Sequence, residues 1–104
     1  MAISDVFAEL AKQISENPGK YQEEVDGVFK FALSGEEPGN WIVDCKDNVG
    51  VREADGDADC TMSLTSEDFE AINSGELDGM QAFMLGRIQV DGDMGLAMKL
   101  QTLL

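Results

Sequence analysis

The chain has 104 residues, 43% of them hydrophobic, with 21 acidic against 7 basic side chains, a net charge of −14 and no histidine. A length of this order makes one domain that buries roughly two-thirds of its unfolded surface, and the hydrophobic fraction excludes a disordered chain. The shortage of Lys and Arg excludes nucleic acid, whose phosphates need them, and docking by charge on an anionic membrane; the acidity reads as a solvated surface that keeps the protein soluble.

In chain order, SDVFAELAKQISEN (4–17) predicts a first helix. Ser4 or Asp5 caps it, and Val6, Phe7, Leu10, Ala11 and Ile14 fall on one face at about 100° per residue. Pro18-Gly19 stops it, and KYQEEVDG (20–27) is a polar connector. The period then changes. In GVFKFALS (27–34), Phe29, Phe31 and Leu33 alternate with Lys30, Ala32 and Ser34, the pattern of a half-buried strand. GEEPGN turns. WIVDCKD (41–47) sets Trp41, Val43 and Cys45 against Ile42, Asp44 and Lys46. VGVRE (49–53) is a short third strand, ADGDAD (54–59) a turn, and CTMSLT (60–65) a fourth strand with Cys60, Met62 and Leu64 inward. Four consecutive strands with short connections predict an antiparallel meander.

Helical period returns in TSEDFEAINSGEL (65–77). Thr65 or Ser66 caps, acids fill the first turn, Phe69 and Ile72 point inward, and Gly75 ends it. DGMQAFMLG (78–86) is a second short helix. Asp78 caps it, Met80, Phe83 and Met84 share a face, and Gly86 stops it. RIQVDG (87–92) alternates as a fifth strand, and VDGDMGLAMKLQTLL (90–104) turns into a last helix. Helices segregated from strands predict an α+β fold, with the helices packed on one face of the sheet.

The chemistry-bearing residues point away from catalysis. Without histidine there is no His-based triad, His acid–base pair or His metal site, and no GxSxG, P-loop or GxGxxG occurs. DGDADC (55–60) alternates Asp55, Asp57 and Asp59 as a calcium loop does, but Cys60 stands where the loop needs Gly and Ser66 where it needs Glu, so it reads as a solvated turn. Cys45 and Cys60 lack a histidine partner and read as buried free thiols of an intracellular protein. No enzyme activity, cofactor or metal is expected. There is no apolar run long enough to span a bilayer, no basic n-region in MAISDVFAEL to mark a signal peptide, and no address tripeptide after Leu103-Leu104. The expected location is cytoplasmic.

What remains is apolar surface. In the last helix only Lys99 and Thr102 occupy a clean polar side. Met94, Leu96, Ala97, Met98, Leu100, Leu103 and Leu104 spread over an arc wider than the stripe of about 100° that suffices for a surface helix. Gln101 sits inside that arc, where a lone amide needs a partner. Two readings stay open: a protein layer or homodimer covers the extra side, or an apolar ligand does, with Gln101 at its polar end. Met80, Met84, Met94 and Met98 crowd the last quarter of the chain, and flexible methionine suits promiscuous apolar surfaces.

Taken together, GVFKFALSG, NWIVDCK and ADCTMSLTSEDFEAINSGELDGMQAFMLGRIQVDGDMGLAMKLQ make the chain similar to the sterol carrier protein type-2 lipid-binding domain, from about Gly27 to Gln101, with the 4–17 helix and the element order in agreement. The resemblance implies a five-stranded, mainly antiparallel sheet covered on one face by four to five helices, with an apolar tunnel between. It implies binding, and intracellular transfer, of fatty acids, fatty acyl-CoA, phospholipids and sterols, with no reaction catalysed. It places Phe31, Leu33, Trp41, Val43, Phe83, Met84, Ile88, Val90, Met94, Leu96, Met98, Leu100 and Gln101 around the ligand. The family's first helix is held to touch membranes through basic residues. Here that helix offers Lys12 against Asp5, Glu9 and Glu16, so any transient membrane contact is expected to be non-electrostatic. The chain does not end in a peroxisomal tripeptide. The expected state is a monomer or weak homodimer; the alternative function is an interaction or dimerisation module using the C-terminal helix. A binder of long chains needs apolar area more than catalytic groups: each buried methylene contributes about 0.8 kcal/mol, so one acyl chain can support micromolar binding.

Overall fold

The computed structural model describes residues 2–99. The elements run α1 (Ile3–Glu16), α2 (Pro18–Glu24), β1 (Val28–Ser34), β2 (Gly39–Asp44), β3 (Gly50–Glu53), β4 (Cys60–Thr65), α3 (Ser66–Ser74), α4 (Gly79–Met84), β5 (Gln89–Gly92) and α5 (Met94–Ala97). The strands form one five-stranded sheet in the order β3-β2-β1-β4-β5. Period-two alternation decides which side is which: Phe29, Phe31, Leu33, Val43, Cys60, Met62 and Leu64 are buried on the side that faces the helices.

The expected meander holds only for the first three strands. β4 pairs with β1, and in parallel, with Phe29 beside Cys60, Phe31 beside Met62 and Leu33 beside Leu64. The remaining pairings are antiparallel. ADGDAD is therefore a crossing segment rather than a tight turn. It leaves the β3 edge and passes over the sheet's outer face to the far side of β1. Its contacts show the route. The Ala54 N–H donates to the Asn40 carbonyl at 3.0 Å, the Lys30 ammonium pairs with the Asp55 carboxylate, the Asp59 N–H donates to the Val28 carbonyl at 3.0 Å, and the Val28 N–H donates to Asp59 Oδ2 at 3.1 Å. Lys30 holds the Asp55 carboxyl below its usual range. Ile42 lies opposite Lys30 and on the same side, yet it is buried.

The helices cover the other face. α1 buries Ile3, Val6, Phe7, Leu10 and Ile14, the stripe its periodicity predicts. Phe7 is the keystone. Its ring stacks on Trp41 with centroids 4.4 Å apart, on Phe69 at 4.9 Å, and meets Phe31 at 5.7 Å. The expected cap of Ser4 or Asp5 is not used. The helix starts a residue earlier, after Ala2, which makes no side-chain cap bond. Instead the Ile3 N–H donates to Glu37 Oε2, on the β1–β2 turn, at 2.9 Å, a tertiary substitute for a local cap. Pro18 ends α1 and opens α2, a position where its missing N–H costs nothing. α3 is capped as expected: Thr65 Oγ1 accepts from the Asp68 N–H at 3.1 Å, and Gly75 closes it in the left-handed conformation. The Glu67 carboxylate accepts from the Glu36 N–H at 2.9 Å, and that bond is the first cause holding its carboxyl below the usual range.

Gly92 closes β5 with φ +108°, and a Cβ there would lie 2.4 Å from the Asp59 carbonyl oxygen. The next residue's N–H donates to that same oxygen at 2.9 Å, so the crossing segment and β5 are locked together at this point. Gly92→Ala is expected to cost about 2–3 kcal/mol, from the left-handed φ and the backbone clash combined. A urea midpoint equal to that of the parent would contradict it.

Cys45 and Cys60 are buried free thiols. They flank β1 on opposite sides, the Cys45 N–H bonding to the Gly27 carbonyl and Cys60 pairing with Phe29. Two strand spacings, about 9–10 Å, separate their backbones, beyond the reach of a disulfide. Burial, with the Asp44 charge, pushes the Cys45 thiol up to about 11; burial and the charges of Asp93, Asp59 and Asp91 raise that of Cys60. Neither thiol is expected to react with iodoacetamide at pH 8 in the folded protein, and both react in urea. Rapid native labelling would show that the β1 flank opens.

Candidate ligand cavity

The second half of the chain builds the site. Asp78 caps α4, its Oδ1 accepting from the Met80 N–H at 2.9 Å. Asp93 caps α5, its Oδ1 accepting from the Leu96 N–H at 3.1 Å. These caps aim two short helices across the β4–β5 end of the sheet. Between helices and sheet lies a cavity of about 70 Å³ lined by Met62, Gly79, Met80, Phe83, Ile88, Val90, Met94, Ala97 and Met98. Among the described residues, no lining side chain ionises and none carries a hydrogen-bonding group. Such a surface can hold an apolar molecule by exclusion of water and can do no acid–base or nucleophilic chemistry. A larger open depression of about 520 Å³ runs along α1, lined by Glu9, Lys12, Gln13 and Glu16 among others. It is a wet surface groove: its apolar members, Val6 and Leu10, are already buried in the core.

The cavity gathers five of the residues expected at the site: Phe83, Ile88, Val90, Met94 and Met98. Others lie elsewhere. Phe31 and Val43 are in the closed core, and Trp41 is covered by the Phe7 ring. Leu33 is buried on the sheet's inner side. Leu96 is buried against the Gly27 backbone, where a Cβ would meet its Cδ atoms at 2.6 Å. Met84 points outward, 80% exposed. Leu100 and Gln101 lie outside the described residues. Three lining side chains were not in the expected set. Met62 and Met80 carried a signal, an inward strand position and the apolar face of a short helix; Ala97 is small and gave none.

Among the described residues, the cavity wall at α5 has few anchors. That helix anchors through buried Leu96, and the Lys99 ammonium reaches the Val25 carbonyl at 3.4 Å. Met80, Phe83, Met94 and Met98 each show more than two-fifths of their surface to solvent, so the cavity's rim is made of unpacked side chains, three of them methionines.

A mixed sheet with helices on one face and an apolar cavity between the layers defines an α+β domain suited to holding an apolar small molecule. The chain belongs to the SCP-2 sterol transfer family, whose match spans residues 7–104. It is 35% identical to human sterol carrier protein 2 over 94% of this chain and 19% of that protein. It is 37% identical to Xenopus laevis hydroxysteroid dehydrogenase-like protein 2 over 98% of this chain and 24% of that one. The chain thus spans about a fifth to a quarter of the length of these curated relatives, and the second match lies in a minor part of that protein. Among solved structures, sterol carrier protein 2 from Aedes aegypti in complex with palmitate superposes with a TM-score of 0.77 at 30% identity, covering 98% of this chain and 94% of that one.

Proposed function

We propose that this protein is a non-enzymatic carrier of fatty acids and other long-chain lipids, acting in the cytoplasm and holding the acyl chain between β4–β5 and the helices α4 and α5. The observation that carries this reading is a cavity whose described lining is apolar throughout, rimmed by exposed methionines. The palmitate bound by the Aedes aegypti relative supports the ligand class.

The cavity of about 70 Å³ is well below the roughly 300–1,000 Å³ of a site for a ligand of that size. Binding therefore displaces the rim. Methionine side chains swing at low cost, and α5 lifts away from the sheet, since among the described residues its anchors are Leu96, Ala97 and the Lys99–Val25 contact. Low selectivity follows, because among the described residues no lining side chain offers a hydrogen bond that would reject one headgroup and accept another. Acyl-CoA, phospholipid and sterol are accepted to the extent that their apolar parts fit. Transfer between membranes, as opposed to simple buffering, needs a surface that meets the bilayer.

Titration with a fluorescent fatty-acid analogue tests the reading. Saturable binding at micromolar or lower concentration is expected, together with fatty acid or phospholipid in the mass spectrum of protein purified natively from cells. No signal from any acyl or sterol probe would overturn it.

A further inference from the structure

The structure assigns a bilayer-docking face to α4, the turn that follows it, and α5. We propose that this face inserts shallowly into a zwitterionic phospholipid surface, so that the cavity opens directly onto the membrane. The inference rests on the lipid-carrier reading, and its test separates the two.

Three observations carry it. First, among the described residues all the large apolar side chains left exposed lie on α4, the turn after it, or the α5 segment: Met80, Phe83, Met84, Leu85, Met94 and Met98. Clustered exposed apolar surface marks an interface. Second, the patch is continuous with the cavity, since Met80, Phe83, Met94 and Met98 belong to both. A partner seated here covers the mouth through which a lipid must pass. Third, the charge pattern chooses the partner. In a chain with 21 acids, the two longest stretches of sequence without one are 79–90 and 94–104, and the only charged side chains in them are Arg87 and Lys99. α4, the turn after it and α5 thus carry no carboxylate of their own, and Arg87 neutralises the neighbouring Asp68 at 3.5 Å. A second copy of this chain is disfavoured as occupant, because each copy carries −14 and like charge opposes association. The same charge repels an anionic leaflet, which leaves a zwitterionic one.

α1 does not compete for this role. Its large apolar side chains are spent on the core, and its one base, Lys12, stands among Asp5, Glu9 and Glu16.

Leu85 is 66% exposed and does not line the cavity, so it can be altered without touching either fold or ligand. The protein is floated with phosphatidylcholine vesicles at low and high salt, and binding of a soluble fatty-acid probe is measured in parallel. The parent protein is expected to float at both salt concentrations. Leu85→Asp is expected to float about tenfold less, since a leucine's apolar area is lost to the membrane, while binding the free probe as the parent does. Leu85→Trp gives a second reading: its emission shifts to the blue when vesicles are added. A parent that binds the probe but does not float, a Leu85→Asp variant that floats equally, or a Leu85→Trp emission that stays put overturns the proposal. So does a parent dimer that Leu85→Asp splits, which would seat a second copy on this face. A parent that floats yet binds no probe would instead sink the carrier reading and leave the docking face standing.

Discussion

Phe7→Ala is expected to be the most destabilising single truncation in the molecule, by about 3–5 kcal/mol. Phe7 is fully buried and its ring lies between Trp41 and Phe69 with interplanar angles of 7° and 13°. It joins α1, α3 and the β1–β2 half of the sheet in one stack, so its loss opens a cavity that no neighbour can fill without moving a helix. Stacked pairs add about 0.5–1.5 kcal/mol each beyond the area they bury. Domains of this size are stable by only about 5–15 kcal/mol, so the variant stands near the edge of folding. Trp41 is the only tryptophan and touches Phe7 directly, so its fluorescence reports both the local change and the urea midpoint. A loss below about 1 kcal/mol would show that α1 is not the lid of the core.

Ala97→Trp is expected to abolish binding with little effect on folding. Ala97 is half-buried in the α5 wall of the cavity, and an indole projecting from it outsizes the space. The flexible rim can yield to keep the fold intact, so the urea midpoint should move by less than about 1 kcal/mol, whereas affinity for a fatty-acid probe should fall at least tenfold, about 1.4 kcal/mol. Unchanged affinity would place the ligand elsewhere, with the β1–β2 core beneath Phe7 as the next place to look.

Local signals in the sequence were sufficient wherever structure is decided locally. Thr65 and Asp78 cap α3 and α4 as their positions foretold, because a cap bond spans two or three residues. The inward sets Phe29–Phe31–Leu33 and Cys60–Met62–Leu64 follow from alternation alone. What depends on distant partners was not legible. β4 reads as the next strand of a meander; it pairs instead in parallel with β1, reached by a crossing segment in which Asp55 and Asp59 meet Lys30 and Val28, contacts no spacing announces. The start of α1 was misplaced for the same reason, its end group coming from Glu37. Of the residues expected around the ligand, Phe83, Ile88, Val90, Met94 and Met98 surround one cavity, because α4, β5 and α5 are consecutive in the chain and their apolar faces are legible locally. The resemblance placed Phe31, Trp41 and Val43 there as well, because it names a sheet face and not which helix covers it. Phe7 covers that half.

The most direct measurement is methyl NMR of the protein with labelled methionines, titrated with a spin-labelled fatty acid. Four methionines, Met62, Met80, Met94 and Met98, line the cavity, while Met84 faces outward. In solution without vesicles, the account predicts saturable broadening of Met62, Met80, Met94 and Met98 and a far weaker effect on Met84. Uniform broadening of all five, or none at any, would contradict it.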